Sequence, residues 1–168
     1  MKTLAGLFVI ALFLHGCTYA ISPAFVDRAD KTVSFEKLQA DPESHKGKIL
    51  ILGGTIFQTS GAQQGTLIEV IQKQLDYWGK PERTRSTGGR FLILHPSSLD
   101  PMIYAPGREI TIAGEVQGVG SPTPGEQRYE YPLLISRELK LWEQDRPSWN
   151  KPQWIDPLYD PNSPSRHD

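Results

Sequence analysis

Gly47-Lys-Ile-Leu-Ile-Leu-Gly-Gly-Thr-Ile56 and, sixty residues further on, Gly107-Arg-Glu-Ile-Thr-Ile-Ala-Gly-Glu-Val116 share one pattern. Each reads Gly, basic, any residue, aliphatic, any, aliphatic, small, Gly, any, aliphatic. Alternation with period two is the signature of a β-strand with one buried face. In the second copy Ile110, Ile112, Gly114 and Val116 share a face, and Thr111, Ala113, Glu115 and Gln117 share the other. A glycine recurring at one place inside a strand marks a sharp bend or bulge, as a tightly curled barrel requires. Partly open barrels of the OB type use such a glycine in the first strand, and the second copy then falls near the fourth. Two similar amphipathic strands would also suit a sandwich; the shared glycine favours the barrel.

The neighbouring segments agree. Thr66 to Ile71 returns after a Gly- and Gln-containing turn at Gln58–Gly65, which makes a hairpin with the first strand. Arg90 to Leu94 is a short buried strand stopped by Pro96, and Gly118 to Glu126, with Pro122 and Pro124, reads as a loop. Tyr129–Ile135 and Glu138–Trp142 complete the set. A short helix precedes the first strand, with Ser34 as N-cap and Phe35 and Leu38 on one side, ended by Pro42 and Gly47. The expected fold is therefore mainly β: a small OB-like closed or partly open barrel of five to six strands with a short N-terminal helix, over residues 33–143.

Composition sets the outer limits. The 168 residues carry 18 basic and 19 acidic side chains, a net charge of -1, so no long-range field draws in nucleic acid. Apolar residues make up 38 %, enough for a packed core of about one domain. A single cysteine excludes an intramolecular disulfide and thiolate zinc clusters.

That cysteine has a telling place. Lys2 is followed by the apolar run Leu4–Leu14, too short for the roughly 20 residues a spanning helix needs, but shaped like a secretory signal. Leu14-His15-Gly16-Cys17 then resembles the lipobox of bacterial lipoproteins: an aliphatic residue at -3, a small one at -1, and the cysteine that receives the lipid. The resemblance implies cleavage before Cys17, recognition through Leu14 and Gly16, a diacylglycerol on the sulfur and an acylated amine. His15 departs from the pattern at -2. An ordinary cleaved signal with a free thiol is the alternative. The same resemblance implies that a residue other than Asp after the cysteine, here Thr18, permits export to the outer membrane by the sorting machinery. Residues 1–16 thus read as a signal peptide, 17–32 as a lipidated tether, and 144–168, where five prolines alternate with Trp149, Trp154 and Tyr159, as an extended tail.

Catalytic groups do not converge. His45, His95 and His167 lack metal-ligand spacing, no serine sits in a G-x-S-x-G elbow, and Gly118-Val-Gly120 precedes no helix pattern. Glu69 shares a strand face with Leu67 and Ile71 and is read as the partner of an arginine, with Arg90 in reach. Lys80, Arg83, Arg85 and Arg90 gather around Trp78 and Phe91; a nucleic-acid role for them conflicts with export, whereas a cell-wall glycan would suit a face with Trp78, Arg90 and Glu69. No catalytic residue, metal site or cofactor is expected.

Gly47, Gly54, Glu69-Val70, Leu75, Pro81, Gly89-Arg90-Phe91, Gly107, Gly114, Gly118, Tyr131-Pro132 and Leu141-Trp142, in this order behind a lipobox, resemble the Slp family of starvation-inducible outer-membrane lipoproteins. The resemblance runs from Cys17 to about Trp142. It implies a lipid-anchored domain at the outer membrane, facing the periplasm and associated with starvation stress. It implies no catalytic residue and no cofactor. The partners expected are outer-membrane lipid, the lipoprotein processing and sorting machinery, and an envelope protein or glycan.

Overall fold

The computed structural model describes residues 19–84, 86–122 and 130–143. The lipobox residues Leu14, Gly16 and Cys17 and the Pro/Trp-rich tail lie outside the described residues. Five strands, β1 (Ile49–Ala62), β2 (Gly65–Lys73), β3 (Arg90–His95), β4 (Glu109–Gly120) and β5 (Tyr131–Leu141), close into a barrel in the order β1-β2-β3-β5-β4. All neighbours are antiparallel except β3 and β5, which run parallel. The small OB-like barrel expected from the sequence is the fold.

The repeated decapeptides are partners in this barrel. They lie antiparallel, with Leu52 opposite Ile112, the residue that matches it in the repeat. The pairing is symmetric about that point. Gly47 N–H donates to the Val116 carbonyl and Gly107 N–H to the Ile56 carbonyl, at 2.9 and 2.8 Å, and these are equivalent bonds. Both glycines have positive φ, 78° and 87°, which a residue with a Cβ reaches only at a cost. Gly54 faces Ile110 and Gly114 faces Leu50, so each copy sets its small residue against a large one of the other.

β1 carries the closure because it pairs with β4 over Ile49–Thr55 and with β2 from Gly53 onward. Where both pairings overlap, a Cβ on Gly54 would meet the Ile71 carbonyl and come within 2.9 Å of Val70 Cγ1. Glycine is what permits so close an approach.

Leu50, Leu52, Ile56, Ile68, Val70, Phe91, Ile93, Ile110, Ile112, Val116 and Leu134 fill the interior. Helix α2 (Phe35–Ala40) adds Phe35 and Leu38, with the Phe35 ring edge-on to Phe91 at 5.9 Å. Ser34 caps α2 by accepting the Lys37 N–H, as expected. Phe91, expected beside the basic cluster, is instead fully buried in this core.

Three expectations are corrected. The turn over Gln58–Gly65 shrinks to Gln63-Gln64, because β1 and β2 pair through main-chain groups as far as Ala62 and Gly65, whatever the polarity of their side chains. The two strands expected over Tyr129–Ile135 and Glu138–Trp142 are one, β5 (Tyr131–Leu141), with Tyr129 outside the described residues. The apparent break is a bulge at Arg137, which is extra in the register between Ala113↔Glu138 and Gly114↔Ser136. Finally, residues 19–32 do not hang free as a tether. Helix α1 (Pro23–Arg28) and the residues before it lie on the outside of the barrel, where Ala20, Ile21, Ile49 and Ala113 form a second buried cluster with Phe25, Val26, Ile51 and Trp142 against it. This is why Ala113, on the face expected to be solvated, is fully buried. Lys48 pairs with Asp30 at 2.9 Å, and Asp30 N–H donates to the Ile49 carbonyl, closing the strap.

Candidate functional site

The three residues expected on one ligand face divide between two places. Glu69 lies on the outer side of β2, buried, and its Oε1 accepts from Arg90 Nη1 at 2.7 Å. The register Val70↔Phe91 sets Arg90 diagonally across from Glu69. The guanidinium also stacks on the Phe57 ring, 4.0 Å from its centroid. The bond to Glu69 holds the Arg90 pKa above its already high ordinary value, so the cation is permanent. A charge-assisted bond at this length, with one partner buried, ties β2 to β3. It leaves the Glu69 oxygen that faces Arg90 committed, and the expected Glu69–Arg90 pair forms.

Beside it, Gln58, Ser60, Leu67, Glu69 and Pro122 line a depression of about 10 Å³. One water needs about that much, and ligand pockets run to several hundred Å³. Among the described residues this face therefore has charge and an aromatic ring beside a depression too small for a small molecule.

Trp78 stands elsewhere, on a turn in the β2–β3 connection that crosses the outside of β1 and β4. Asp76 Oδ1 accepts the amides of Trp78 and Lys80 at 2.9 and 2.8 Å, an Asx-type turn. Gly79 takes φ of 81°. Thr111 Oγ1 donates to the Gly79 carbonyl at 2.7 Å and accepts from Trp142 Nε1 at 2.9 Å. Gly53 opens the space in which Leu75 crosses β1; a Cβ there would lie 2.7 Å from Leu75 Cδ2. From below, Ala20 N–H donates to the Trp78 carbonyl at 3.1 Å. Strap, turn and barrel are thus locked together.

What this frame presents is aromatic. Tyr19, Tyr77 and Trp78 are 44, 76 and 45 % exposed, yet their rings touch: 5.8 Å from Tyr19 to each of the others and 5.2 Å between Tyr77 and Trp78. Sequence reading singled out Trp78 and missed Tyr19 and Tyr77. The Asp76-Tyr-Trp-Gly79 order could have shown that both rings ride on a turn tip; Tyr19, distant in sequence, had no such sign.

His45 and His95 do not converge, and among the described residues no group of His, Cys, Asp or Glu could hold a metal ion. Burial lowers the His95 pKa. No described helix is long and apolar enough to cross a membrane.

Comparison with known proteins places these features. The family profile described as "Outer membrane lipoprotein Slp family" matches residues 14–165. The chain is similar to the outer membrane protein Slp of Escherichia coli (strain K12), identical at 24 % of 147 residues that cover 79 % of this chain and 78 % of that protein.

Proposed function

Since the chain belongs to the outer membrane lipoprotein Slp family, we propose that it is anchored in the outer membrane by an acylated Cys17 and carries its barrel into the periplasm. There it serves envelope structure or protein contact during starvation stress, without catalysis. The observation that carries this reading is the barrel itself: its interior is filled by its own side chains, and among the described residues the one ion pair with a buried partner joins two strands. Such a body offers surface rather than a reaction chamber. The lipoprotein processing and sorting machinery would act on Leu14, Gly16 and Cys17.

The test is the intact mass of protein taken from native membranes. Residues 17–168 plus a diacylglycerol and a third acyl chain are expected, and Cys17→Ser should leave the membrane fraction. A lipid-free mass, or unchanged fractionation of that variant, would refute the anchor.

A second reading, a module binding cell-wall glycan, is favoured by the exposure of Trp78, since flat rings stack on sugars. Arg90 and Glu69 belong to the other face and do not support it. Titration of muropeptides against Trp78 fluorescence decides: a saturable change lost in Trp78→Ala supports the module.

A further inference from the structure

We propose that Tyr19, Tyr77 and Trp78 form a membrane-docking patch that seats the barrel directly on the lipid headgroups of the leaflet holding the Cys17 acyl chains. This inference rests on the acylated anchor proposed above.

The argument starts from chain length. Tyr19 is two residues past Cys17, and two residues span at most ~7 Å even when fully extended. The headgroup layer on each side of a bilayer is about 5–7 Å thick. A backbone that leaves an acylated cysteine at the membrane surface therefore still lies beside the headgroups when it reaches Tyr19. From there it is no longer free, because Ala20 and Ile21 are buried on the barrel and Ala20 N–H is bonded to the Trp78 carbonyl. Wherever the anchor places Tyr19, the turn 76–80 must follow.

The chemistry of the patch fits that location. Tyrosine and tryptophan have an apolar ring and a polar tip, and they concentrate at membrane–water interfaces for that reason. Three such rings within 6 Å of one another, each at least 44 % exposed, gather around Tyr19, which follows Cys17 by two residues in sequence. Water alone gives no reason to cluster them there. Their support is rigid, through Asp76 Oδ1 below the turn and Thr111 Oγ1 on the Gly79 carbonyl. A rigid patch loses little conformational freedom on docking, so ring insertion is not offset by ordering of a loop. Two attachments, acyl chains and rings, then fix the orientation of the barrel as well as its distance.

The test uses the full-length acylated protein reconstituted in vesicles of phosphatidylethanolamine and phosphatidylglycerol, with and without bromine on the acyl chains. Bromolipid quenching of tryptophan fluorescence is compared in wild type and Trp78→Phe, a ring-for-ring change at an exposed site that leaves the fold intact. Loss of most of the quenching in the variant is expected, with loss of a blue-shifted component. Equal quenching in the two proteins would overturn the proposal. Intact mass on the same samples separates the two readings. An acylated protein with Trp78 unquenched keeps the anchor and removes the docking patch, whereas a mass without acyl groups removes both. A Trp78 signal that ignores bromolipid but responds to muropeptide would assign the rings to glycan and also overturn the proposal.

Discussion

Adding one methyl group at Gly54 is expected to destabilise the barrel, while the same change seven residues along the same strand is not. In general Gly→Ala at a site that tolerates a Cβ stabilises by about 0.4–1 kcal/mol, because the unfolded chain loses freedom. Gly61 is such a site, with nothing within 4 Å of the added carbon. At Gly54 the carbon would meet the Ile71 carbonyl oxygen, with its carbonyl carbon at 2.8 Å and Val70 Cγ1 at 2.9 Å. Carbon–carbon contact is optimal at about 3.5–4.0 Å, so these are strongly repulsive. The Ile71 carbonyl is main chain in a strand that pairs with both β1 and β3, and it cannot rotate aside. Overpacking of this kind costs roughly 1–3 kcal/mol. The two variants should therefore differ by about 1.4–4 kcal/mol, with opposite signs relative to wild type. Gly114→Ala should fall between them, because its nearest obstacles are side-chain atoms, Ile112 Cδ1 at 2.7 Å and Leu134 Cβ at 3.0 Å. Urea unfolding followed by far-UV circular dichroism, at unchanged slope, measures the differences. If Gly54→Ala proved as stable as Gly61→Ala, the claim that β1 curls through a glycine-only contact would be wrong.

Thr111→Val keeps the shape of a fully buried side chain but strips the donor from the Gly79 carbonyl and the acceptor from Trp142 Nε1. A loss of roughly 2–4 kcal/mol is expected in urea, with faster amide exchange at Trp78 and Lys80; slow exchange there would show that the turn does not depend on Thr111. For the Glu69–Arg90 pair, a double-mutant cycle with Glu69→Gln and Arg90→Met should return a coupling of about 1 kcal/mol, discounted because Arg90 is partly exposed; a value near zero would reduce the pair to a surface contact. Acid should act in two steps. Burial depresses the His95 pKa, so the unfolded chain takes up that proton first, and stability present above the ordinary value of 6.5 declines as pH falls below it. The Thr32 hydroxyl, and then Lys48, hold Asp30 far below its ordinary 3.8, so its contribution persists above that value and disappears in stronger acid. His95→Gln should flatten the upper step of the urea midpoint against pH, and an unchanged slope in that variant would assign the step to another group.

The barrel could be read from the sequence because its decisive feature is written twice. One pattern in two strands that pair with each other, about Leu52 and Ile112, puts local alternation and global closure in agreement. The Ser34 cap, with Phe35 and Leu38 on one helical face, was equally local. What escaped was non-local. Residues 19–32 have no apolar period of their own, and Ile21 is buried only because Ala113 and Ile49 on β4 and β1 leave it a place. The split of the expected ligand face has the same origin. Arg90 and Glu69 are bound by strand register, which a sequence implies once strands are known, whereas Trp78 is placed by Thr111, Gly53 and Ala20 from three distant segments.

The strap also alters what an anchor at Cys17 would accomplish. A free tether of the sixteen residues 17–32 would let the body wander about 5–6 Å × √16, or roughly 22 Å, from the membrane. With the chain pinned from Ala20 onward, only residues 17–19 separate Cys17 from the barrel, a span of ~10 Å or less. A solid barrel anchored on so short a lead would not sweep the periplasm for a partner; it would present one constant set of faces to whatever approaches the membrane. Under such an anchor, burial of Ile21 and the Asp30–Lys48 pair would bear on function as directly as a binding residue. With Cys17 acylated, they would decide which sides of the barrel remain open to envelope components and which are turned to lipid.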